Sequence, residues 1–181
     1  MEKAIDLRKY KKALLTMGFI TLSIIIPQIF HLCGINGPTF LPMHIPVLLA
    51  GFMLGPQEGL MVGILSPIIS TALTGMPVEF PMMPIMVFEL GTYGLVSGLL
   101  TKHTKLPTVV KLLITMLAGR ISYAICYSVI ASFFLPAISS NLSAIGATIT
   151  GMPGIIIQIV FITAVMAVSK GKEKEEKEEN V

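Results

Sequence analysis

ALLTMGFITLSIIIPQIFHLC, residues 13–33, is a run of 21 residues with no acid, lysine or arginine. A helix needs roughly 20 such residues to cross a bilayer, with about 17 as the lower limit. The run opens a longer stretch, residues 13–101, that holds no Lys or Arg and only three acids: Glu58, Glu79 and Glu89. Over all 181 residues 54% are hydrophobic and 13% charged, against about 25% charged in soluble domains, and the mean hydropathy is +0.83. The charges crowd at the two ends, seven in residues 1–12 and nine in residues 170–179. This pattern excludes a nucleic-acid binder, a soluble enzyme and a disordered chain. It predicts an all-α protein of the lipid bilayer.

Turn chemistry divides the rest. Gly34-Ile35-Asn36-Gly37-Pro38 ends span one. Span two covers residues 40–56, only about 25 Å at 1.5 Å per residue, so it barely crosses or has an irregular outer end. Gly55-Pro56-Gln57 turns into span three, residues 58–73, which Gly75-Met76-Pro77 ends. Span four covers residues 82–100 and span five residues 108–135. Residues 136–150 read as loop, and Pro153 suits the first turn of span six, capped by Thr150 or Gly151 and ending near Ser169. The expected architecture is a bundle of six transmembrane helices over residues 1–170, with a charged tail over residues 171–181.

Basic residues orient the bundle. Lys3, Arg8, Lys9, Lys11 and Lys12 precede span one; Lys102, Lys105 and Lys111 lie between spans four and five; Lys170, Lys172, Lys174 and Lys177 follow span six. An even number of crossings puts all three groups on one side, the cytoplasm, with both termini there. The opposite loops carry no Lys or Arg. Glu2 and Asp6 among the first basic residues, and the absence of a small-residue cleavage pattern, argue against a cleaved signal. The alternating Lys and Glu of residues 172–179 suit a solvated helix. Cys33 and Cys126 read as small buried hydrophobes, and no metal-ligand spacing or cofactor motif occurs.

An ionised side chain at mid-membrane costs about 2.5–3.5 kcal/mol on insertion scales, so each one needs a reason. Arg120 lies about 18 Å from the inner end of span five and about 21 Å from the outer end. Tyr123 and Tyr127 follow at i+3 and i+7 on the same face. A guanidinium there suits a ligand carboxylate or phosphate, or a structural pair with a neighbouring helix. Glu89, with Tyr93 at i+4, would neutralise Arg120 in an ion pair. Side chains lean toward the N-terminus of their own helix, however, which in antiparallel spans carries the two heads apart and leaves Glu89 for ligand hydroxyls. Gln158 suits a ligand contact or a helix–helix hydrogen bond. His44 near the top of span two, and Asn36, Glu79 and Phe80 in the outer loops, stand where they close a pocket mouth or serve as plain caps. Glu58 suits the positive end of a helix dipole. Spans one to three are rich instead in small residues such as Gly18, Gly51, Gly59 and Gly63, which allow close packing within the chain or against a partner. The division suggests a binding half in spans four to six and a docking half in spans one to three.

No GxxxxGK[ST], HExxH or GxSxG sequence occurs. The only thinkable nucleophile–base pairing for an intramembrane enzyme is His44 with Ser66 or Ser70. Polar groups that stop near the midplane describe a pocket open to the outside rather than a channel.

LPMHIPVLLAGF (41–52), Ser66-Pro67 with Thr74-Gly75-Met76-Pro77, Phe88-Glu89-Leu90 with Tyr93-Gly94, Gly119-Arg120 and PGIIIQ (153–158) together resemble the substrate-binding S components of energy-coupling factor (ECF) vitamin transporters. The resemblance covers nearly the whole chain except the tail, and within the family it is nearest the pantothenate-type branch. It implies a multi-pass protein of the bacterial plasma membrane that binds a vitamin or related micronutrient at its outer face and is not itself an enzyme. It implies work with a transmembrane coupling protein and two cytoplasmic ATPases, and reorientation to release cargo inward. Arg120 would then hold the carboxylate of pantothenate, with Glu89, Tyr93, Tyr123, Tyr127 and Gln158 toward its other groups and His44 and Asn36 near the mouth. A neutral pyridoxine- or pyrimidine-like ligand is the alternative if Glu89 neutralises Arg120. The family's AxxxA docking pattern is interrupted, since Ala13 is followed at i+4 by Met17. A stand-alone secondary carrier would instead transport without ATP or partners.

Overall fold

The structure is a computed structural model that describes residues 2–35, 37–134 and 144–179. Among the described residues it is wholly helical: α1 (Glu2–Leu32), α2 (Gly37–Phe40), α3 (His44–Leu54), α4 (Pro56–Thr74), α5 (Met82–His103), α6 (Thr108–Phe134), α7 (Ala144–Thr150) and α8 (Met152–Glu179). Five segments are long and apolar enough to cross a membrane: Lys9–Leu32, Gly37–Leu54, Met82–His103, Thr108–Phe134 and Met152–Ser169. The 19-residue α4 is a sixth segment of spanning length. It stands outside that set of five because it opens on the polar residues Gln57 and Glu58. The chain is an all-α membrane protein.

Span two resolves into two helices. Leu41 adopts φ 50°, the left-handed region that costs a bulky residue about 1 kcal/mol or more. The chain thus breaks after α2 and restarts at His44. Pro136–Thr150 is not all loop either: residues 144–150 form α7, which contacts α2, α6 and α8. The remainder of that stretch lies outside the described residues. The α8 helix runs past Ser169 without a break to Glu179.

Punctuation by glycine and proline follows the sequence reading. Gly55, at φ 107°, alone joins α3 to α4, whose first turn opens on Pro56. Gly75 takes the left-handed C-terminal position of α4, at φ 72°. Beyond it Ser70 Oγ donates to the Met76 carbonyl at 2.6 Å and Thr71 Oγ1 to that of Pro77 at 2.8 Å, tying the outer loop back onto α4. The second Thr-Gly-Met-Pro, residues 150–153, ends α7 and begins α8 at once.

The packed centre is α3, α4 and α5, with α1 against α3 and α4, and α6 against α5. Glycines make it possible. A Cβ on Gly59 would run into the Gly94 carbonyl, one on Gly63 into that of Leu90, and one on Gly98 into Pro56. The small residues of spans two and three are therefore consumed in packing within the chain. Gly18 on α1, by contrast, has nothing within 4 Å of its Cβ position. Val47, Leu48, Leu90, Leu112 and Ile162 fill the core, all fully buried. Neither cysteine joins it: Cys33 is exposed and Cys126 half-buried.

At the end of the bundle that the charges assign to the cytoplasm, Lys12 Nζ on α1 meets Glu58 Oε1 on α4 at 2.7 Å. The lysine side chain is 45% exposed, and exposed pairs contribute about 0–1 kcal/mol. Lys12→Ala is expected to change the thermal midpoint of the detergent-solubilised protein by no more than that energy allows, a few degrees at most.

Candidate functional site

Glu89 is the centre of the polar cluster. It points into the bundle from α5 with 2% of its surface exposed. Burying a carboxylate costs several kcal/mol unless charge and hydrogen bonds compensate it. Arg120 Nη1 on α6 supplies the charge at 3.0 Å from Oε1. Tyr93, one turn along α5, donates its hydroxyl to the same oxygen at 3.3 Å. His44 Nε2, at the start of α3, stands 3.7 Å from Oε2. The heads of Glu89 and Arg120 converge in the ion pair, one of the two arrangements open to them from the sequence, despite the opposed lean of their Cα–Cβ bonds. The long arginine stem reaches across the α5–α6 contact and overrides the lean of its own Cα–Cβ bond.

Local sequence makes room for this. A Cβ on Gly119 would collide with the Tyr93 ring, so glycine beside Arg120 lets that ring lie flat against α6. The Tyr93 ring in turn tilts against His44, with centroids 5.3 Å apart. Gln158 Nε2 donates to the Leu41 carbonyl at 3.4 Å. The same carbonyl accepts from His44 N at 3.1 Å, so the break between α2 and α3 is held from both sides. The Gln158 bond links α8 to that break. Gly154 sits against the Phe40 and Thr39 carbonyls, where a Cβ would not fit.

His44 is no mouth residue. It is 2% exposed, and the break after α2 carries it inward to complete a cluster with Glu89, Tyr93 and Arg120. This is the departure from a binding half confined to spans four to six. Tyr123 is buried, and Tyr127 lies one turn farther out with its ring nearly parallel at 6.4 Å. Neither hydroxyl has a described bond to the cluster. Phe80 packs edge-on against Phe134 at 5.1 Å, and Glu79 is exposed beside it, both away from the cluster. Asn36 lies outside the described residues. Among the described residues no group of His, Cys, Asp and Glu could hold a metal ion.

The cluster is only partly satisfied. Arg120 Nε and Nη2 are buried without a hydrogen-bond partner among the described residues, as are both ring nitrogens of His44. Nε and Nη2 form the side edge of a guanidinium, the edge that receives a carboxylate through two parallel hydrogen bonds. That edge looks toward the junction of α7 and α8, where a Cβ on Gly151 would stand 3.1 Å from Nη2. A separate groove of about 560 Å³ between α5 and α6, lined by Phe88, Ile121, Ile125 and Cys126 among others, includes no residue of the cluster and carries exposed Phe88, Ile121 and Ile125.

The model of the family described as "ECF transporter, substrate-specific component" matches residues 12–169. No curated protein and no solved structure shows significant similarity to the chain.

Proposed function

The chain belongs to the family of substrate-specific components of ECF transporters, and on that premise we propose that it captures pantothenate at the outer face of a bacterial plasma membrane. Family membership makes it a transporter's substrate-binding subunit, for a vitamin or related micronutrient, and not an enzyme. ATP hydrolysis then belongs to two cytoplasmic ATPases, reached through a transmembrane coupling protein.

One observation supports a carboxylate ligand: the buried Nε/Nη2 edge of Arg120 has no described partner although Nη1 is already bound to Glu89. A ligand carboxylate would take that edge, with Tyr93, Tyr123 and Tyr127 beside it and Gln158 bracing the adjoining chain break. A second observation favours a different ligand. Glu89 and Arg120 cancel each other's charge, which suits a neutral pyridoxine- or pyrimidine-like molecule.

Native mass spectrometry of the gently purified protein, followed by parallel titrations with pantothenate and pyridoxine, separates the two. Retention of pantothenate with no binding of pyridoxine is the expected result. The reverse would make Arg120 a structural partner of Glu89. Transport by proteoliposomes of the chain alone, without ATP, would overturn the subunit reading in favour of a secondary carrier.

A further inference from the structure

The charges of the cluster make an anionic ligand a problem that His44 is placed to solve. Glu89 and Arg120 bring one negative and one positive charge into a space beside the tightly packed α3 and α5. A monocarboxylate on the free edge of Arg120 would leave two anions around one cation. An unbalanced charge in such a place costs several kcal/mol. His44 is 2% exposed, with neither ring nitrogen hydrogen-bonded among the described residues, and its Nε2 faces Glu89 Oε2 at 3.7 Å. A neutral imidazole carries one ring proton; a second makes both nitrogens donors. Nε2–H then points at Glu89.

We propose that the pocket takes up a monocarboxylate together with one proton, which His44 accepts opposite Glu89. This rests on the carboxylate reading given above and names its regulation. Ligand −1, Glu89 −1, Arg120 +1 and His44 +1 leave the loaded cluster neutral, as Glu89 and Arg120 alone leave the unloaded one. The proton comes from solvent and ends on the imidazole; no bond of the ligand changes.

The other groups around His44 do not offer an equal route. Glu89 and Tyr93 of α5 face it directly, and Arg120 of α6 meets the same Glu89 carboxylate from the other side. Gln158 on α8 does not titrate. The acid of α4, Glu58, is at the opposite end of the bundle with Lys12. Protonating Glu89 would discharge its ion pair with Arg120, whereas protonating His44 sets a second cation opposite Glu89. The remaining histidine of the outer half, His31 on α1, is exposed.

The test is isothermal titration of the full-length protein in detergent with pantothenate, at one pH in phosphate and in Tris, whose ionisation heats differ. A buffer-dependent heat corresponding to uptake of close to one proton is expected, with affinity rising up to about tenfold per unit fall in pH while the ligand stays ionised. Binding with equal heats in the two buffers overturns the proposal and leaves the carboxylate reading standing. If pantothenate does not bind, reading and proposal fall together. His44→Gln, which keeps a donor of similar size but takes no proton, is expected to bind more weakly, with no buffer-dependent heat and a flat pH profile. Proton uptake that persists in this variant would overturn the assignment to His44.

Discussion

Arg120→Ala is expected to lower the stability of the protein by about 3–5 kcal/mol, the usual result of removing one member of a buried ion pair. The loss comes less from the bond at 3.0 Å than from what remains. Glu89 would keep its carboxylate in the core with Tyr93 as its one hydrogen-bond donor among the described residues. Glu89→Gln should be milder, because an amide needs no counter-charge and Arg120 retains 13% exposure. The double variant Glu89→Gln/Arg120→Met should be more stable than Arg120→Ala, since no buried anion is stranded in it. Thermal unfolding of the four proteins in one detergent checks the order, and a double variant no better than Arg120→Ala would show that the pair does not set the cost. Binding should separate from stability. Pantothenate affinity falls by about a hundredfold or more in Arg120→Ala, as expected when a charge-assisted bidentate contact is lost. In Glu89→Gln it should rise, because the ligand no longer competes with a resident carboxylate.

Gly94→Leu is expected to abolish the native packing of α4 on α5. A Cβ at this position already lies on the Gly59 carbonyl and its carbon, and a backbone cannot swing aside as a flexible side chain does. Inserting atoms into a packed interior costs about 1–3 kcal/mol in side-chain contacts, occasionally more. Here the obstacle is main chain on both helices. Loss of a monodisperse peak in size-exclusion chromatography is the expected readout. Gly18→Leu provides the contrast, because its Cβ position on α1 is open. It should fold with an unchanged thermal midpoint. A monodisperse, thermally unchanged Gly94→Leu protein would mean that α4 and α5 are not in backbone contact.

Much of this arrangement is legible in the residues themselves. The uncharged run of residues 13–33, the glycine and proline punctuation and the sidedness of lysines define the long helices without reference to contacts. Arg120 and Glu89 stand out because ionised groups are costly in a bilayer. Their convergence was only half legible: the opposite charges suggest a pair, but backbone geometry sends the two Cβ atoms apart, and only the distance between α5 and α6 decides whether a long side chain makes up the difference. The place of His44 was hidden for a different reason. Its depth depends on a left-handed Leu41, a conformation that nothing in a leucine announces. The partner of Gln158 follows from the same break, since the carbonyl it reaches belongs to Leu41. Gly119 could have been found from its neighbour: a glycine beside a deep arginine signals close approach by another side chain, here the Tyr93 ring.

The pairing of Glu89 with Arg120 also fixes how the molecule responds to the voltage across its membrane. One elementary charge moved through 100 mV involves about 2.3 kcal/mol of electrical work. An unpaired Arg120 would make any shift of the pocket relative to the bilayer depend on that field. With the two side chains 3.0 Å apart the pair presents a dipole of no net charge to that field. A monocarboxylate accompanied by its proton preserves that balance, so loading and displacement of the site would both be electrically silent.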